Sequence, residues 1–383
     1  MSIEEDYADV FEIDANINRL VRKIELLNYV NPTNISKAKK DFFKSKFTLN
    51  PKFKYTKLDF NPYKLQRLFF SQRLERIQDD FIRNLYEDII YDYSGLIQCI
   101  ETIGEKDEFY YNSLRSFGTP TEKDVKNAQF ILHFKDDELH EDMLPKYSSD
   151  EALNFFEAYK KQFGFDFKIV KSNKLSAAAM VLNNTKTLVL NKGYVYSQNE
   201  IDTLCTHEIG VHMLTTFNGL IHPLKIFSHG LPRNVETQEG LAVLSEYTSG
   251  CLSLKRLKEL AYRVIAVDSL AKGYDFSSTF DLLYSQYKLN KDDAFTISLR
   301  VHRGGGFTKD YLYLTGLKKL YKFYKNNKDL SPLLTGKVSQ KYFNDILKLQ
   351  EIGLARQVIY TNPDFDKNNN ENSKIDFILD NLR

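Results

Sequence analysis

Apolar and polar residues repeat with two different periods along this chain, and the change of period divides it. In the first third, Ile17, Leu20, Val21, Ile24 and Leu27 recur at helical spacing between charged residues. That pattern predicts an amphipathic helix stopped by Pro32. Residues 47–62 (FTLNPKFKYTKLDFNP) are turn-rich and partly alternating, so they read as an extended connector. Helical periodicity returns between residues 63 and 102 and ends near Gly104. These amphipathic faces need a partner surface, and their role is packing.

After residue 150 the pattern changes. EALNFFEAYKKQFG predicts a helix stopped by Gly164. Three strands are then expected at Phe167–Lys171, Ala177–Leu182 and Thr187–Leu190, with Asn183-Asn184 joining the last two in a tight hairpin. Ser197-Gln198-Asn199-Glu200 has the form of a capping box and starts another helix. Almost everything beyond is helical in pattern. The polar, asparagine-rich stretch 362–374 reads as a loose surface segment before a short terminal helix. The expected fold class is α+β, mostly helical, with a small antiparallel sheet. Its expected domains are a helical region at 1–150, packed on a catalytic core at 151–383.

Composition narrows the function. The 53 basic residues nearly cancel the 51 acidic ones, and a net charge of +2 gives no footprint for nucleic acid or an anionic membrane. Twenty-eight Phe and 24 Tyr supply the bulk for a sizeable core. No stretch of 18 apolar residues predicts a membrane span, and MSIEEDYADVF has no secretory h-region, so a cytoplasmic location is expected. Cys99, Cys205 and Cys251 are widely spaced and fit buried, reduced thiols. Oligomeric state is not legible.

The chemistry concentrates in Thr206-His207-Glu208-Ile209-Gly210-Val211-His212, an H-E-x-x-x-H pattern. Zinc-protease helices carry H-E-x-x-H, whose histidines share one face. Five-residue spacing on a regular α-helix sends the two imidazoles about 140° apart. A π-bulge around Ile209–Val211 would absorb the extra residue, and Gly210, lacking a Cβ, would ease it. Glu208 falls on an apolar stripe with Ile201, Leu204 and Val211, and a buried carboxylate calls for a cation.

Catalytic zinc takes three protein ligands and one open position. His222, His229, Glu236, Glu239 and Glu246 are the downstream candidates for the third. His222 and His229, beside Pro223 and Gly230, read as loop histidines. Spacing separates Glu239 from Glu236 only slightly. Gly240 and Ala242 would let the helix of Glu239 approach the first one closely, and Glu246 could orient a ligating histidine. Glu208 would be the general base, taking a proton from water and returning it to the leaving amine.

HEIGVH followed by QEGLA resembles a metallopeptidase family that includes the microtubule-associated tyrosine carboxypeptidases of animals. The likeness extends to Asn50-Pro51-x-Phe53-x-Tyr55, to Phe109-Tyr110-Tyr111-Asn112-Ser113 and to Arg303-Gly304-Gly305-Gly306-Phe307-Thr308-Lys309-Asp310. It implies one Zn2+ held by His207, His212 and Glu239 in a zincin-like core, with Glu208 as base. It also implies removal of a C-terminal residue, Tyr or Phe by preference, from a peptide or protein. Such an enzyme must hold a free α-carboxylate. Arg300, Arg303 and Lys309 are the nearest cations, Tyr313 could line the pocket, and Gly304–Gly306 leading to Thr308 could offer backbone N–H groups to the anion. A zinc endopeptidase or other amidohydrolase, and a regulatory protein with a non-catalytic zinc site, are the competing readings.

Overall fold

Alternation in the middle of the chain becomes a three-stranded sheet in the computed structural model, which describes residues 3–383 apart from Lys23, 137–139, Lys174 and Ser176. The strands are β1 (Lys168–Ser172), β2 (Ala179–Leu182) and β3 (Thr187–Asn191), in the order β1-β3-β2. β3 is central, and its Leu188 and Leu190 are fully buried. β2 and β3 run antiparallel, with Val181 opposite Leu188. Their connection is a 3-10 turn at Asn183–Thr185 closed by Lys186 in the left-handed region (φ 49°), two residues longer than an Asn-Asn turn. β1 instead pairs parallel to β3, so the sheet is mixed and not antiparallel. A short turn dictates direction only for the strands it joins, and no such turn joins β1 to β3.

Apart from an isolated bridge between Tyr147 and Tyr196, the other regular elements among the described residues are helical, which makes the chain α+β and mostly helical. It divides into two compact units. One comprises Met1–Ala15, Asp136–Arg256 and Thr315–Leu382; the other comprises Asn16–Lys135, Leu257–Leu314 and Arg383. No helix among the described residues is long and apolar enough to cross a membrane.

The first unit holds the sheet and the helices flanking it. Ser197 caps its helix as the sequence predicts: Glu200 N–H donates to Ser197 Oγ at 3.1 Å, and Ser197 N–H donates to Glu200 Oε2 at 2.9 Å. Close packing of the Asn234–Thr248 and Leu312–Lys325 helices depends on glycine. A Cβ on Gly240 would lie 2.5 Å from the Gly316 carbonyl carbon. Gly240 therefore admits the Gly316 helix, while its own helix also packs along the His207 helix as the sequence suggested. Buried Asp14 accepts the N–H groups of Lys225 and Ile226 at 2.6 and 3.1 Å, capping the short helix Ile226–His229.

Two expectations need correction. The predicted continuous helix up to Pro32 is split into Ala8–Val21 and Leu26–Val30. The reorientation lets Leu26, Tyr29 and Val30 pack with Cys99, Ile100, Phe109 and Phe307 in the second unit's core, a tertiary gain that the local period does not encode. The segment after residue 362 is not loose where it begins. Asn362 is 1% exposed, and its carbonyl side chain caps the 3-10 turn Pro363–Phe365. Further along, Asn369 N–H donates to Thr248 O at 2.7 Å.

Overfilling the Gly240–Gly316 contact should cost about 1–3 kcal/mol. Gly240→Ala is therefore expected to melt earlier than wild type. Gly193→Ala, whose Cβ would meet nothing nearer than Asn191 Oδ1 at 3.8 Å, should leave the melting temperature unchanged or raise it. Thermal unfolding of the two metal-free variants checks the pair.

Candidate metal centre

Backbone geometry at the H-E-x-x-x-H motif sets the site. The helix Gln198–Leu204 continues into a π-helix over Cys205–Met213 and returns to α-helix at Leu214–Ile221. Hydrogen bonds in a π-helix close five residues apart, so residues five apart stack on one face. His207 and His212 do so, with Nε2 atoms 3.2 Å from each other. Gly210 lacks a Cβ for a reason beyond ease of distortion. A Cβ there would come 2.9 Å from Asn362 Nδ2 and 3.3 Å from the Tyr159 hydroxyl. One turn earlier, Asp364 Oδ2 accepts from Thr206 Oγ1 at 3.1 Å and from the Tyr159 hydroxyl at 3.3 Å.

The Asn234–Thr248 helix packs along this π-helix and brings the third group. Glu239 Oε2 lies 3.7 Å from His207 Nε2 and 3.5 Å from His212 Nε2. His207, His212 and Glu239 thus offer ligand atoms within 4.8 Å of one another, a group able to hold a metal ion. Four ligands at zinc's usual ~2.1 Å leave tetrahedral edges of about 3.4 Å, close to the three separations observed. The residues present fit a tetrahedral cation with one corner left over. Glu236 is elsewhere, paired with Lys319 Nζ at 2.7 and 2.8 Å.

Around the triad the charges are ordered by burial. His207 Nδ1 faces Glu246 Oε1 at 2.7 Å, which leaves Nε2 to point at the triad. Glu246 is fully buried, and Arg256 grips it with Nε at 3.1 Å and a terminal nitrogen at 3.1 Å. Burial would raise the Glu246 carboxyl, but Arg256 and His207 together outweigh it and hold the pKa below the usual range. Burial likewise disfavours a charged His207, yet the nearby Glu239 carboxylate and the hydrogen-bonded Glu246 lift its pKa to about 9. His212 is pushed down to about 4 by desolvation. Glu208, adjacent to His207, accepts the Val181 N–H of β2, and burial raises its pKa to about 7.

Other sequence candidates fall apart from this group. His222 is buried in the first unit, stacked on Phe227 at 4.4 Å, and its Nδ1 accepts from Arg356 N–H at 2.9 Å. His229 ends the short helix Ile226–His229 and does not join the triad.

Arg300, Arg303, Lys309 and Tyr313 lie in the second unit. Arg300 is bound to fully buried Asp310 through Nε and a second nitrogen. Arg303 donates to Asn31 Oδ1 and lies over the Phe307 ring at 5.0 Å. Lys309 Nζ and the Arg263 guanidinium sit 5.1 and 5.0 Å from the Tyr313 ring centre. Burial would raise Asp310, but Arg300, Arg263 and Arg303 outweigh it and bring its pKa to about 2. Arg263 Nε and Arg303 Nε are buried without a hydrogen-bond partner among the described residues. Arg263 was missed from sequence because it is one more cation in an amphipathic helix; its 6% exposure is a tertiary fact.

Part of the glycine run's N–H complement is already engaged within the protein. Gly304 N–H donates to the Tyr55 hydroxyl at 2.8 Å, Gly306 N–H to Arg303 O at 3.3 Å and Thr308 N–H to Ser113 Oγ at 2.9 Å. Gly304 has φ 75°, and a Cβ there would strike the Phe109 ring at 2.5 Å. Segments 50–55, 109–113 and 303–310 therefore meet through Tyr55, Phe109, Ser113, Gly304 and Thr308.

The profile of the microtubule-associated tyrosine carboxypeptidase family matches residues 40–383. The chain belongs to this family. It is also similar to the Mus musculus protein named "Putative tyrosine carboxypeptidase MATCAP2", with 24% identity over 351 residues, 88% of this chain. The chain spans 58% of that relative's length. The family match takes in the triad, Glu208 and all three segments that meet around Gly304.

Removing one triad carboxylate should separate it from its neighbour in sequence. Glu239→Gln is expected to lose stoichiometric Zn2+ binding, and Glu236→Gln to keep it, as read by metal content after dialysis. A second expectation concerns pH. The folded pKa of His222 is about 4, below its ordinary value of 6.5, because burial disfavours the cation. The unfolded chain therefore binds this proton first, and stability falls as pH drops from 6.5 to 4. The loss is on the order of 3 kcal/mol. His302 is held near the same value by burial and adds a similar slope. Urea midpoints across this range should show the slope reduced, not abolished, in His222→Gln.

Proposed function

We propose that this chain is a zinc-dependent carboxypeptidase that hydrolyses the C-terminal peptide bond of a peptide or protein, preferring Tyr or Phe at that end. The observation that carries the reading is the convergence of His207, His212 and Glu239 beside a half-buried Glu208 whose pKa is raised to about 7. A zincin-like core over 151–383 is part of the same proposal. His207, His212 and Glu239 would hold the ion, which supplies Lewis acidity, polarising a carbonyl and lowering the pKa of a water to about 7.

The protein's own groups do the rest. Glu208, fixed by the Val181 N–H, takes a proton from the attacking water and delivers it to the leaving amine. A pKa near neutrality suits a group that must both accept and release a proton. Glu246 and Arg256 fix the ring of His207 and keep its tautomer. The role of Arg300, Arg303, Lys309 and Tyr313 in receiving the substrate carboxylate is retained within the proposal. Its support is that Arg263, Arg300 and Arg303 surround buried Asp310, with Arg263 also paired to Glu259, and that Arg263 Nε and Arg303 Nε are buried without a hydrogen bond among the described residues, so a further anion would be favoured there.

Mass spectrometry of peptides incubated with zinc-loaded protein tests the reading. Free-acid peptides ending in Tyr or Phe should each lose one residue, and their amidated forms should stay intact. Glu208→Gln should retain zinc while losing turnover by at least about 100-fold. Cleavage of amidated peptides would replace this reading with an endopeptidase. Absence of any turnover in a zinc-loaded wild type would favour a regulatory role.

A further inference from the structure

A π-helical turn needs support at its ends, because its carbonyls do not all meet the amides that a regular helix would supply. At the start of this turn, Thr206 O accepts from Ser245 Oγ at 3.2 Å. At its end, His212 O accepts from Thr216 Oγ1 at 2.8 Å, within the same helix, and from Lys337 Nζ at 2.7 Å. Lys337 is distant in sequence and only 6% exposed. A buried ammonium is costly unless strong acceptors meet it, so its position needs an explanation.

We propose that Lys337 is a positioning residue for the metal ligands. It holds the His212 end of the π-helical turn and ties that end to the helix bearing Glu239. The inference rests on the metal-centre reading of His207, His212 and Glu239. Lys337 Nζ also donates to Thr215 Oγ1 at 3.0 Å, and that hydroxyl lies 2.8 Å from Val211 O and 2.9 Å from Gln238 Oε1, which share its one proton. Gln238 directly precedes Glu239, and its Nε2 donates to Gly336 O at 3.2 Å. The circuit therefore closes on the residue before Lys337, linking the backbone of one ligand to the side chain adjacent to another.

The lysine is itself delivered by a fixed turn. Its N–H donates to Phe227 O at 2.8 Å, and its carbonyl accepts from Leu231 N–H at 2.8 Å. Gly336 runs so close to the Phe227 carbonyl that any Cβ would collide with it. An ionised donor makes a carbonyl hydrogen bond about twice as strong as a neutral one. Charge at this position thus contributes what a second hydroxyl could not.

Metal affinity separates this role from a general contribution to stability. Zn2+ affinity of the full chain would be measured by competition with a chromogenic chelator, and ligand geometry by visible absorption of the Co2+-loaded protein. Lys337→Met is expected to weaken Zn2+ binding by about 10–100-fold, the usual cost of losing a group that orients a ligand. Its Co2+ bands should shift, while far-UV circular dichroism of the metal-free form stays that of wild type. Lys337→Arg should recover most of the affinity, and Thr215→Val should lose part of it. A folded Lys337→Met with wild-type affinity and Co2+ spectrum overturns the inference. If Lys337→Met does not fold, Thr215→Val decides, and unchanged affinity there overturns it equally. A wild type that binds neither ion would instead sink the metal-centre reading itself, and this inference with it.

Discussion

Over nine residues, from Cys205 to Met213, the backbone closes its hydrogen bonds one residue later than an α-helix does, and the candidate centre depends on that single change. With ordinary winding the rings of His207 and His212 would diverge by about 140° and could not share an ion. With π-helical winding their Nε2 atoms face each other at 3.2 Å. Wider turns pack less well and hold their carbonyls less evenly, so the neighbourhood supplies donors and fills space. Ser245 and Lys337 meet the carbonyls, Asp364 binds the Thr206 hydroxyl, and the missing side chain of Gly210 makes room for Asn362. Segments far apart in sequence thus hold one local distortion.

Electrostatics gives the same centre its polarity. Glu208, Glu239 and Glu246 crowd around two imidazoles, and burial removes the water that would screen them. Arg256 answers Glu246, and what remains of the field is enough to keep a proton on His207 up to about pH 9. A divalent cation would satisfy that field in the proton's place, since a metal ligand must be a neutral imidazole. Competition between ion and proton at one nitrogen follows from the arrangement of carboxylates.

In the second unit the family motif has close packing in one part and buried charge in another. Three glycines in 304–306 suggest an anion-binding loop, yet the N–H groups of Gly304 and Gly306 are already engaged. The glycines serve close approach instead, to Phe109, to the Lys106 backbone and to Tyr110. The charged residues beside them behave differently. Arg300 is satisfied by Asp310, whereas Arg303 and the unexpected Arg263 each retain a buried nitrogen without a hydrogen bond among the described residues.

Elements whose cause is local were legible in the residues alone. Ser197 and Glu200 make a capping box wherever a helix follows them, the alternation at 167–190 makes strands, and H-E-x-x-x-H demands one extra residue in its turn if the histidines are to meet. Tertiary structure decided what depends on partners distant along the chain. The direction of β1, the break before Leu26, the closeness of Gly240 to Gly316 and the anchoring of Asn362 are all of this kind. So are Arg256 behind Glu246 and Lys337 beneath His212, since no spacing rule marks which lysine or arginine will be buried. Periodicity records which face of an element is apolar, because that follows from geometry repeated every few residues. It carries nothing about which polar group closes a hydrogen bond across the fold, because that is settled when the faces are brought together.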